Sequence, residues 1–424
     1  MVFVKIVSLT PQQFDFFSYN HHMHSFYQSS MYGNLMSNYN YTPSYYGFVD
    51  DAGNLIGATM MISQNILANY KYGYCPRGFL VDYDNKELLK EITTKFKYHL
   101  EKKNYLFLKI DPLVINNKRD KEGNIIPSPY SSDLIPYLTS IGYKYYGENK
   151  YFGTLKPRWN AILKVIGSSV SLFRNFDDAT RNKIRKAQSR GVEIFQGTEK
   201  NIKLFYSYIA RKQSHNLAYY KNFQESFGKN FEIYFARLNT EKYLANVKKL
   251  YEIEVLNLEK LNSEIQEKSL TNSISEKLMN LKIESDKLVA TYKKELQDAS
   301  KLFEKHPEGI VIASCGIVLD RNGVEFLIDG QNPAYGLFYP IYLLKWHIID
   351  KYAKQGAIYF DMNAITGYFG DNSKYRGLNE SKLGFNADVT EYIGEFDLVI
   401  KPTIYKWYCE SSFFRKIMKK KTKQ

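Results

Sequence analysis

The sequence predicts a mixed α/β protein made of two units, with a helical arm inserted in the second unit. Two observations carry this prediction: one order of elements occurs twice along the chain, and a continuous amphipathic segment interrupts the second occurrence. A chain of 424 residues with 44% hydrophobic content is long enough to bury two or three cores.

The repeated order is a hairpin, a long helix and a strand that ends in aspartate. The expected positions of these elements are 46–62, 86–103 and 105–110 in the first copy and 311–328, 339–354 and 357–360 in the second. The terminal aspartates are Asp111 and Asp361. The similarity is architectural rather than residue by residue, so it indicates a duplication without establishing one.

Residues 241–305 predict a helical hairpin with coiled-coil spacing. Apolar residues recur every three or four positions on both sides of a polar break at 268–273. Glu254, Ser285 and Glu295 interrupt this apolar seam. Two helices of about 25 residues that fold back antiparallel would form an arm about 40 Å long. Such an arm is too thin to hold a catalytic pocket, so it would bind or brace a large partner, or join two copies of the chain.

These patterns divide the chain into five segments. They are a first unit at 1–158, the first part of a second unit at 159–240, the arm at 241–305, the rest of the second unit at 306–396, and a basic extension at 397–424.

The charge of +14 predicts a polyanionic partner such as nucleic acid, phosphate groups or an anionic membrane surface. The arm contributes none of it, since its 12 lysines balance 12 acidic residues. The basic residues gather in the last ten positions and at 181–190. The C-terminal charges alternate with Phe413, Phe414, Ile417 and Met418, which suits an amphipathic helix at a membrane surface or on the protein itself.

Three scattered cysteines and the lack of a secretory signal or an apolar membrane span predict a cytoplasmic protein. The histidines at 21, 22 and 24 lack further ligands at metal spacing, so no metal and no cofactor are expected. The sequence also lacks a phosphate-binding loop, a dinucleotide fingerprint and a nucleophile elbow. Acyl transfer by positioning and electrostatics remains as the candidate chemistry.

Four stretches together resemble the FemABX family of peptidoglycan aminoacyltransferases. They are Tyr74-Cys75-Pro76-Arg77-Gly78 with Asp82-Tyr83, Leu108-Lys109-Ile110-Asp111-Pro112, Trp346 followed by Gly356 and Tyr359-Phe360-Asp361, and Lys382-Leu383-Gly384-Phe385-Asn386 followed by 391–396. The arm falls where many members of this family insert a coiled coil. The resemblance covers nearly the whole chain, and the order and spacing of the motifs make it more specific than any single motif.

The resemblance implies two domains similar to GNAT acetyltransferases and the transfer of an amino acid from aminoacyl-tRNA to an amine of the peptidoglycan stem peptide. The acceptor would be lipid II or its UDP-linked precursor, and the basic tail favours the membrane-bound form at the inner face of the membrane. Lys382 is the expected catalytic cation, beside the carbonyl oxygen that becomes negative in the transition state. Asp111 would pair with the acceptor amine or help deprotonate it.

Further substrate contacts are expected from a set of charged residues. This set comprises Arg77, Arg181, Lys183, Arg185, Lys186 and Asp361. The basic members would hold tRNA or precursor phosphates. A solvated helix face and ordinary ion pairing within the fold are the alternatives that the residues leave open.

Three positions depart from the family pattern. Met36 stands where a basic residue is common, Tyr219 or Tyr220 where an arginine is common, and Ser381 where an aromatic residue usually precedes the lysine. These departures favour an alternative function, a noncatalytic protein that binds precursor or tRNA. A GNAT-type enzyme with an acyl-CoA donor is a weaker alternative, because the chain lacks a clear pyrophosphate-binding loop.

Overall fold

The computed structural model describes residues 3–67, 69–127, 133–151, 153–212, 215–270, 273–370 and 373–410. Its strands are β1 (Lys5–Ser8), β2 (Thr42–Val49), β3 (Leu55–Leu67), β4 (Tyr70–Cys75), β5 (Tyr105–Ile110), β6 (Ile115–Arg119), β7 (Ile125–Ile126), β8 (Tyr143–Tyr145), β9 (Trp159–Lys164), β10 (Val192–Gln196), β11 (Phe231–Leu238), β12 (Ile310–Asp320), β13 (Gly323–Gln331), β14 (Tyr359–Ala364), β15 (Asp388–Tyr392) and β16 (Phe396–Val399).

The α-helices alternate with these strands along most of the chain. They are α1 (Pro11–Asn20), α2 (Ser30–Ser37), α3 (Lys86–Glu101), α4 (Leu134–Ser140), α5 (Ser169–Asn175), α6 (Asp178–Ser189), α7 (Ile202–Ile209), α8 (Leu217–Phe227), α9 (Thr240–Ser269), α10 (Glu276–Lys305), α11 (Pro340–Lys354), α12 (Arg376–Leu383) and α13 (Pro402–Glu410). Short 3₁₀ turns occupy Glu199–Asn201, Gly228–Asn230 and Pro333–Phe338. None of the helices within the described ranges is long and apolar enough to cross a membrane.

The strands form two mixed sheets, which confirms the predicted mixed α/β class. Over the described residues, the first sheet has the order β1-β2-β3-β4-β5-β16-β8 and the second has the order β10-β11-β12-β13-β14-β9-β15-β6-β7. Each sheet contains one parallel pair, β4 with β5 and β13 with β14, and a long helix connects the two strands of each pair. The repeated order of elements occurs in both sheets, but in the first copy an additional strand, β4, lies between the predicted hairpin and the helix and supplies the parallel partner of β5.

The two halves of the chain exchange elements. Strand β6 leaves the N-terminal half and pairs with β15 in the second sheet, whereas β16 returns from the far end and lies between β5 and β8 in the first sheet. Helix α8 also packs on the N-terminal core, where Phe223 and Phe227 meet the ring of Phe26. The domain boundaries expected at 158 and 396 stay predictions. Strands from both sides of each boundary share a sheet.

Helices α9 and α10 pack against each other and run antiparallel, since Tyr243 near the start of one contacts Glu295 near the end of the other at 2.9 Å. At about 1.5 Å per residue, 30 residues give each helix a length of about 45 Å. The polar interruptions of the seam pair with one another: Ser285 donates to the Glu254 carboxylate, and Asn257 donates to Ser285 at 3.5 Å. The hairpin has the predicted place and orientation, and its coiled-coil geometry stays a prediction.

Candidate functional site

A cavity of about 520 Å³ lies between the two halves and takes its walls from both. Arg77 enters it from the first sheet, and Glu325, Asp361 and Asn160 enter it from the second. Tyr27 and Tyr392 add aromatic surface. Two of the predicted site residues, Arg77 and Asp361, thus line one cavity although 284 positions separate them in the sequence.

Arg77 and Asp111 meet where the parallel strands β4 and β5 end. The Asp111 carboxylate accepts hydrogen bonds from the Arg77 backbone N–H at 2.7 Å and the Tyr74 hydroxyl at 3.0 Å, and the Arg77 guanidinium lies 3.8 Å away. Burial raises the pKa of Asp111, and the charge of Arg77 opposes that rise. Donors from the chain already occupy both oxygens of the Asp111 carboxylate. Since one of these donors is the Arg77 backbone N–H, Asp111 holds Arg77 in place. Its contact with an acceptor amine stays a prediction.

Glu325 and Asp361 are directly opposite each other on the parallel strands β13 and β14. Neighbouring strands lie about 4.8 Å apart, so the two carboxylates share one face at close range. Burial and the negative charge of Asp361 raise the pKa of Glu325 well above its ordinary value, and burial also raises the pKa of Asp361. The pair therefore binds a proton or a cation more readily than an isolated carboxylate would.

Lys156 lies beside these groups, and sequence reasoning missed it. Its Nζ donates to the Tyr32 hydroxyl at 3.2 Å and lies 3.7 Å from the centre of the Tyr27 ring. Burial lowers the pKa of Lys156 to about 7, although Asp111 acts in the opposite direction. The amine is therefore partly neutral at physiological pH.

Lys382 lies near the end of α12, and its Nζ donates to the carbonyl of Ala364 at the end of β14. Burial and the nearby charge of Lys345 lower the pKa of Lys382 to about 7, while Asp329 and Asp361 act to raise it. The predicted catalytic lysine is thus outside the cavity lining, but its Nζ is bound to the last residue of the strand that carries Asp361, and its charge acts on that carboxylate.

A cluster of lysines surrounds the Asp329 carboxylate, close to Lys382. Lys212 and Lys345 lie 2.9 Å and 3.3 Å from its carboxylate, and Lys345 is only 2% exposed. Although burial opposes it, these two charges hold the pKa of Asp329 below its usual range. Together with Lys382 the cluster has more positive than negative charges. It is a suitable environment for a group that carries or develops negative charge.

In the predicted basic face on α6, some side chains bind other groups of the protein and others are exposed. Arg181 is bound to Asp178 and to nearby carbonyls, and Lys183 donates to the Tyr342 hydroxyl at 3.0 Å. Arg185 is exposed with its guanidinium 5.6 Å from the Phe173 ring, and Lys186 is exposed. The exposed pair is the part of this face that is accessible to phosphates.

Three residues of the site had weak signals in the sequence. Lys345 interrupts the apolar run Leu343-Leu344 to Ile348-Ile349 of a helix, which marks a charged residue at a core position. Glu325 and Asn160 lie in ordinary strand sequence, and only the pairing of β13, β14 and β9 brings them together.

In the described part of the chain, no group of three or more His, Cys, Asp and Glu residues is arranged to hold a metal ion. The last residues of the basic extension, 411–424, lie outside the described residues. The amphipathic helix expected there, with Phe413, Phe414, Ile417 and Met418, at a membrane surface or on the protein itself, therefore stays a prediction.

The fold of this chain is similar to that of a solved structure described as "Crystal structure of FemX". That structure covers 95% of this chain and 99% of its own, with a TM-score of 0.72 and 19% sequence identity. Residues 9–410 match the FemAB family, so the chain belongs to this family, as the motifs predict.

The curated relatives are aminoacyltransferases. "Aminoacyltransferase FemA" of Staphylococcus epidermidis is 24% identical over 379 residues, which span 85% of this chain and 88% of the relative. "Aminoacyltransferase FemA" of Staphylococcus aureus (strain MRSA252) is 21% identical over 413 residues, which span 96% and 97%. The predicted enzyme class, an aminoacyltransferase, is that of these relatives.

Proposed function

We propose that this chain transfers an aminoacyl group from aminoacyl-tRNA to a primary amine of the peptidoglycan stem peptide during interpeptide bridge synthesis. The observation that carries this proposal is the position of Lys382, which joins a cationic cluster to the strand that carries Asp361 into the cavity. Family membership over residues 9–410 supports the same class of reaction.

In this reaction the acceptor nitrogen attacks the ester carbonyl of the donor. A C–N bond forms, the ester C–O bond breaks, and the ribose hydroxyl leaves with a proton. The carbonyl oxygen carries negative charge in the tetrahedral transition state, and the Lys382 ammonium stabilises that charge. Lys345 and Lys212 add positive charge around the same position.

The donor tRNA would contact the exposed part of the basic face. Arg185 and Lys186 are free of ion pairs among the described residues and lie on the helix whose N-terminal end contacts Gly384, two residues after Lys382. Phosphate contacts of this kind supply most of the salt-dependent affinity for a nucleic acid. The arm would add a long surface on the same half of the molecule, since Arg190 contacts its Glu295 at 3.3 Å.

The acceptor would be lipid II at the inner face of the membrane, or its UDP-linked precursor. The basic tail supports the lipid-linked form, because each basic residue near an anionic surface contributes about 1 kcal/mol. Removing residues 413–424 should weaken binding to anionic vesicles and leave transfer to the UDP-linked precursor unchanged. Equal vesicle binding by the truncated protein would contradict the membrane role.

A transfer assay tests the proposed activity. The protein is mixed with a pool of radiolabelled aminoacyl-tRNAs and lipid II, and label in the lipid fraction identifies the donor. Lys382→Met should reduce transfer about 10²-fold, the usual cost of one lost oxyanion donor. Lys374→Met removes an exposed lysine close by and serves as the control. Equal turnover in both variants would exclude Lys382 as the catalytic cation.

A noncatalytic protein that binds tRNA or precursor is the second candidate. It is favoured by the aromatic environment where the family usually has an arginine: Tyr219 stacks on His215 with ring centres 3.8 Å apart and lies 5.5 Å from the Tyr39 ring. Met36 packs against the N-terminal core and supplies no charge. Tight tRNA binding without label in the lipid fraction would establish this alternative.

A further inference from the structure

Asn160 has a buried acceptor atom that nothing in the described part of the chain satisfies. Its side chain lines the cavity and the residue is 4% exposed. The Nδ2 group donates to the Asp361 carboxylate at 2.7 Å, which fixes the orientation of the amide, yet Oδ1 finds no hydrogen-bond donor. A buried amide oxygen without a donor is costly, so this atom indicates a missing donor from a ligand.

The same wall of the cavity carries the two opposed carboxylates. Asp361 accepts from Asn160 and from the backbone N–H of Asn363, each at 2.7 Å, and one lone pair on each oxygen remains. Glu325 lines the cavity, and among the described residues no hydrogen bond or ion pair reaches its carboxylate. With both carboxyls ionised, this wall presents three acceptor groups and no donor to an incoming molecule.

The nearest positively charged side chains, Arg77 and Lys156, bind groups other than Glu325 and Asp361. The Arg77 guanidinium faces Asp111 and donates to the carbonyl of Pro157 at 2.9 Å, and Lys156 donates to Tyr32. Asp320, a further acid in the lining, is paired with His24 at 2.6 Å. The negative pair thus has positive charges at a distance and none in direct contact within the described residues.

We propose that Glu325, Asp361 and Asn160 form a subsite for a primary ammonium group. In the reaction proposed above, this ammonium group is the acceptor amine, and that identification rests on the proposed function. The preference of the subsite for an ammonium group does not depend on it. A primary ammonium has three N–H donors, and the subsite offers three acceptor groups.

The same groups explain how the amine becomes a nucleophile. One N–H proton passes from the ammonium to the carboxylate pair, and the nitrogen lone pair is then free to form the C–N bond. Because burial raises the pKa of both carboxyls, and the charge of Asp361 raises the pKa of Glu325 further, the pair holds that proton better than an ordinary carboxylate does. An acylated amine brings one N–H and no charge, so the subsite should reject it.

Calorimetry with the full chain tests this subsite through two probes that differ only at the amine. They are the UDP-linked precursor with its acceptor amine free and the same compound N-acetylated. The unaltered protein should bind the free amine about 10- to 100-fold more tightly, as expected for hydrogen bonds to charged groups. Glu325→Gln should remove most of this preference without unfolding the chain, because no described hydrogen bond depends on the Glu325 carboxylate. Asp84→Asn removes an exposed acid from the same cavity and should keep the preference.

The outcomes separate this inference from the proposed function. Equal binding of both probes, or a preference that persists in Glu325→Gln, overturns the ammonium subsite even if transfer to lipid II is observed. If neither probe binds, the proposed acceptor is wrong, and titration with pentylammonium decides about the subsite. A shift of the Asn160 side-chain amide resonance that is lost in Glu325→Gln then supports the subsite, and the absence of a shift overturns it.

Discussion

Lys382 has a charge that changes near neutral pH, because burial and Lys345 lower its pKa to about 7. A lysine with a lowered pKa is a cation below that pH and becomes neutral as the pH rises through it. Stabilisation of the oxyanion should therefore be present below about pH 7 and lost above it, whereas deprotonation of the acceptor amine favours higher pH. Together these two requirements predict a bell-shaped pH profile.

Lys382→Arg should move the alkaline limb of kcat/KM to higher pH by more than one unit, since the guanidinium stays charged over the whole accessible range. The absolute rate should fall, because the planar group is larger than the ammonium that it replaces. Steady-state transfer between pH 5.5 and 9.5 measures the shift, with Lys374→Arg as the control. An unchanged alkaline limb would show that another group controls it.

Lys345 and Lys212 share Asp329 but differ in burial, with side chains 2% and 53% exposed. Lys345→Met should lower the free energy of unfolding by about 2 kcal/mol. This is less than the 3–5 kcal/mol that is usual for a broken buried pair, because Lys212 still neutralises Asp329. Lys212→Met should cost under about 1 kcal/mol, as surface pairs do. Urea unfolding of both variants tests which substitution lowers the free energy of unfolding more, and equal decreases would contradict the prediction.

The arm is an element that can be removed as a unit, because its two ends meet. Thr240 donates its hydroxyl hydrogen to the carbonyl of His306, so a short Gly/Ser linker can replace residues 241–305. The shortened protein should fold and bind tRNA more weakly in fluorescence anisotropy. Reversal of the charges at Arg185 and Lys186 should weaken binding and also reduce its dependence on salt, because phosphate contacts are lost, whereas removal of the arm, which has no net charge, should leave the salt dependence nearly unchanged.

If the shortened protein binds tRNA as well as the intact chain does, the arm serves another role, and dimerisation becomes the better account. Light scattering on both proteins then decides that question. Retention of the oligomeric state without the arm would exclude the arm as the dimer contact.

The sequence predicted those elements that have a strong period or a local motif, and missed those that depend on pairing. Helices α9 and α10 lie at the expected place in the chain, and both hairpins of the repeat occur. Strand β4 is missing from the predicted elements, although Tyr70, Tyr72 and Tyr74 recur with the two-residue period of a strand. Its identity as a strand depends on β3 and β5, which flank it in the sheet.

The same limit on prediction applies to the residues of the candidate site. Arg77, Asp111 and Lys382 belong to short motifs and could be selected from the sequence alone. Glu325 and Asn160 could not, because a strand register sets their positions. The like-charge pair of Glu325 and Asp361 joins residues that are 36 positions apart along the chain.

At the scale of the whole molecule, the exchange of β6 and β16 predicts that the two halves unfold together. Calorimetry should show a single transition. The fragment 1–158 should not fold alone, because β16 is missing between β5 and β8. Joining residues 394–410 to that fragment through a flexible linker should restore β16 and with it dispersed amide resonances. A folded fragment 1–158 without this addition would show that the first half is independent.

Strand β16 also sets the time at which the first sheet can be completed during translation. Its partner Tyr145 and its own Phe396 are separated by 250 residues of synthesis, which take about 13 to 50 s at about 5–20 residues per second. Throughout that interval the facing edges of β5 and β8 have no partner strand on the nascent chain. We therefore expect ribosome-bound chains that stop before residue 396 to engage chaperones, and chains that extend far enough to release Val399 from the exit tunnel to lose them.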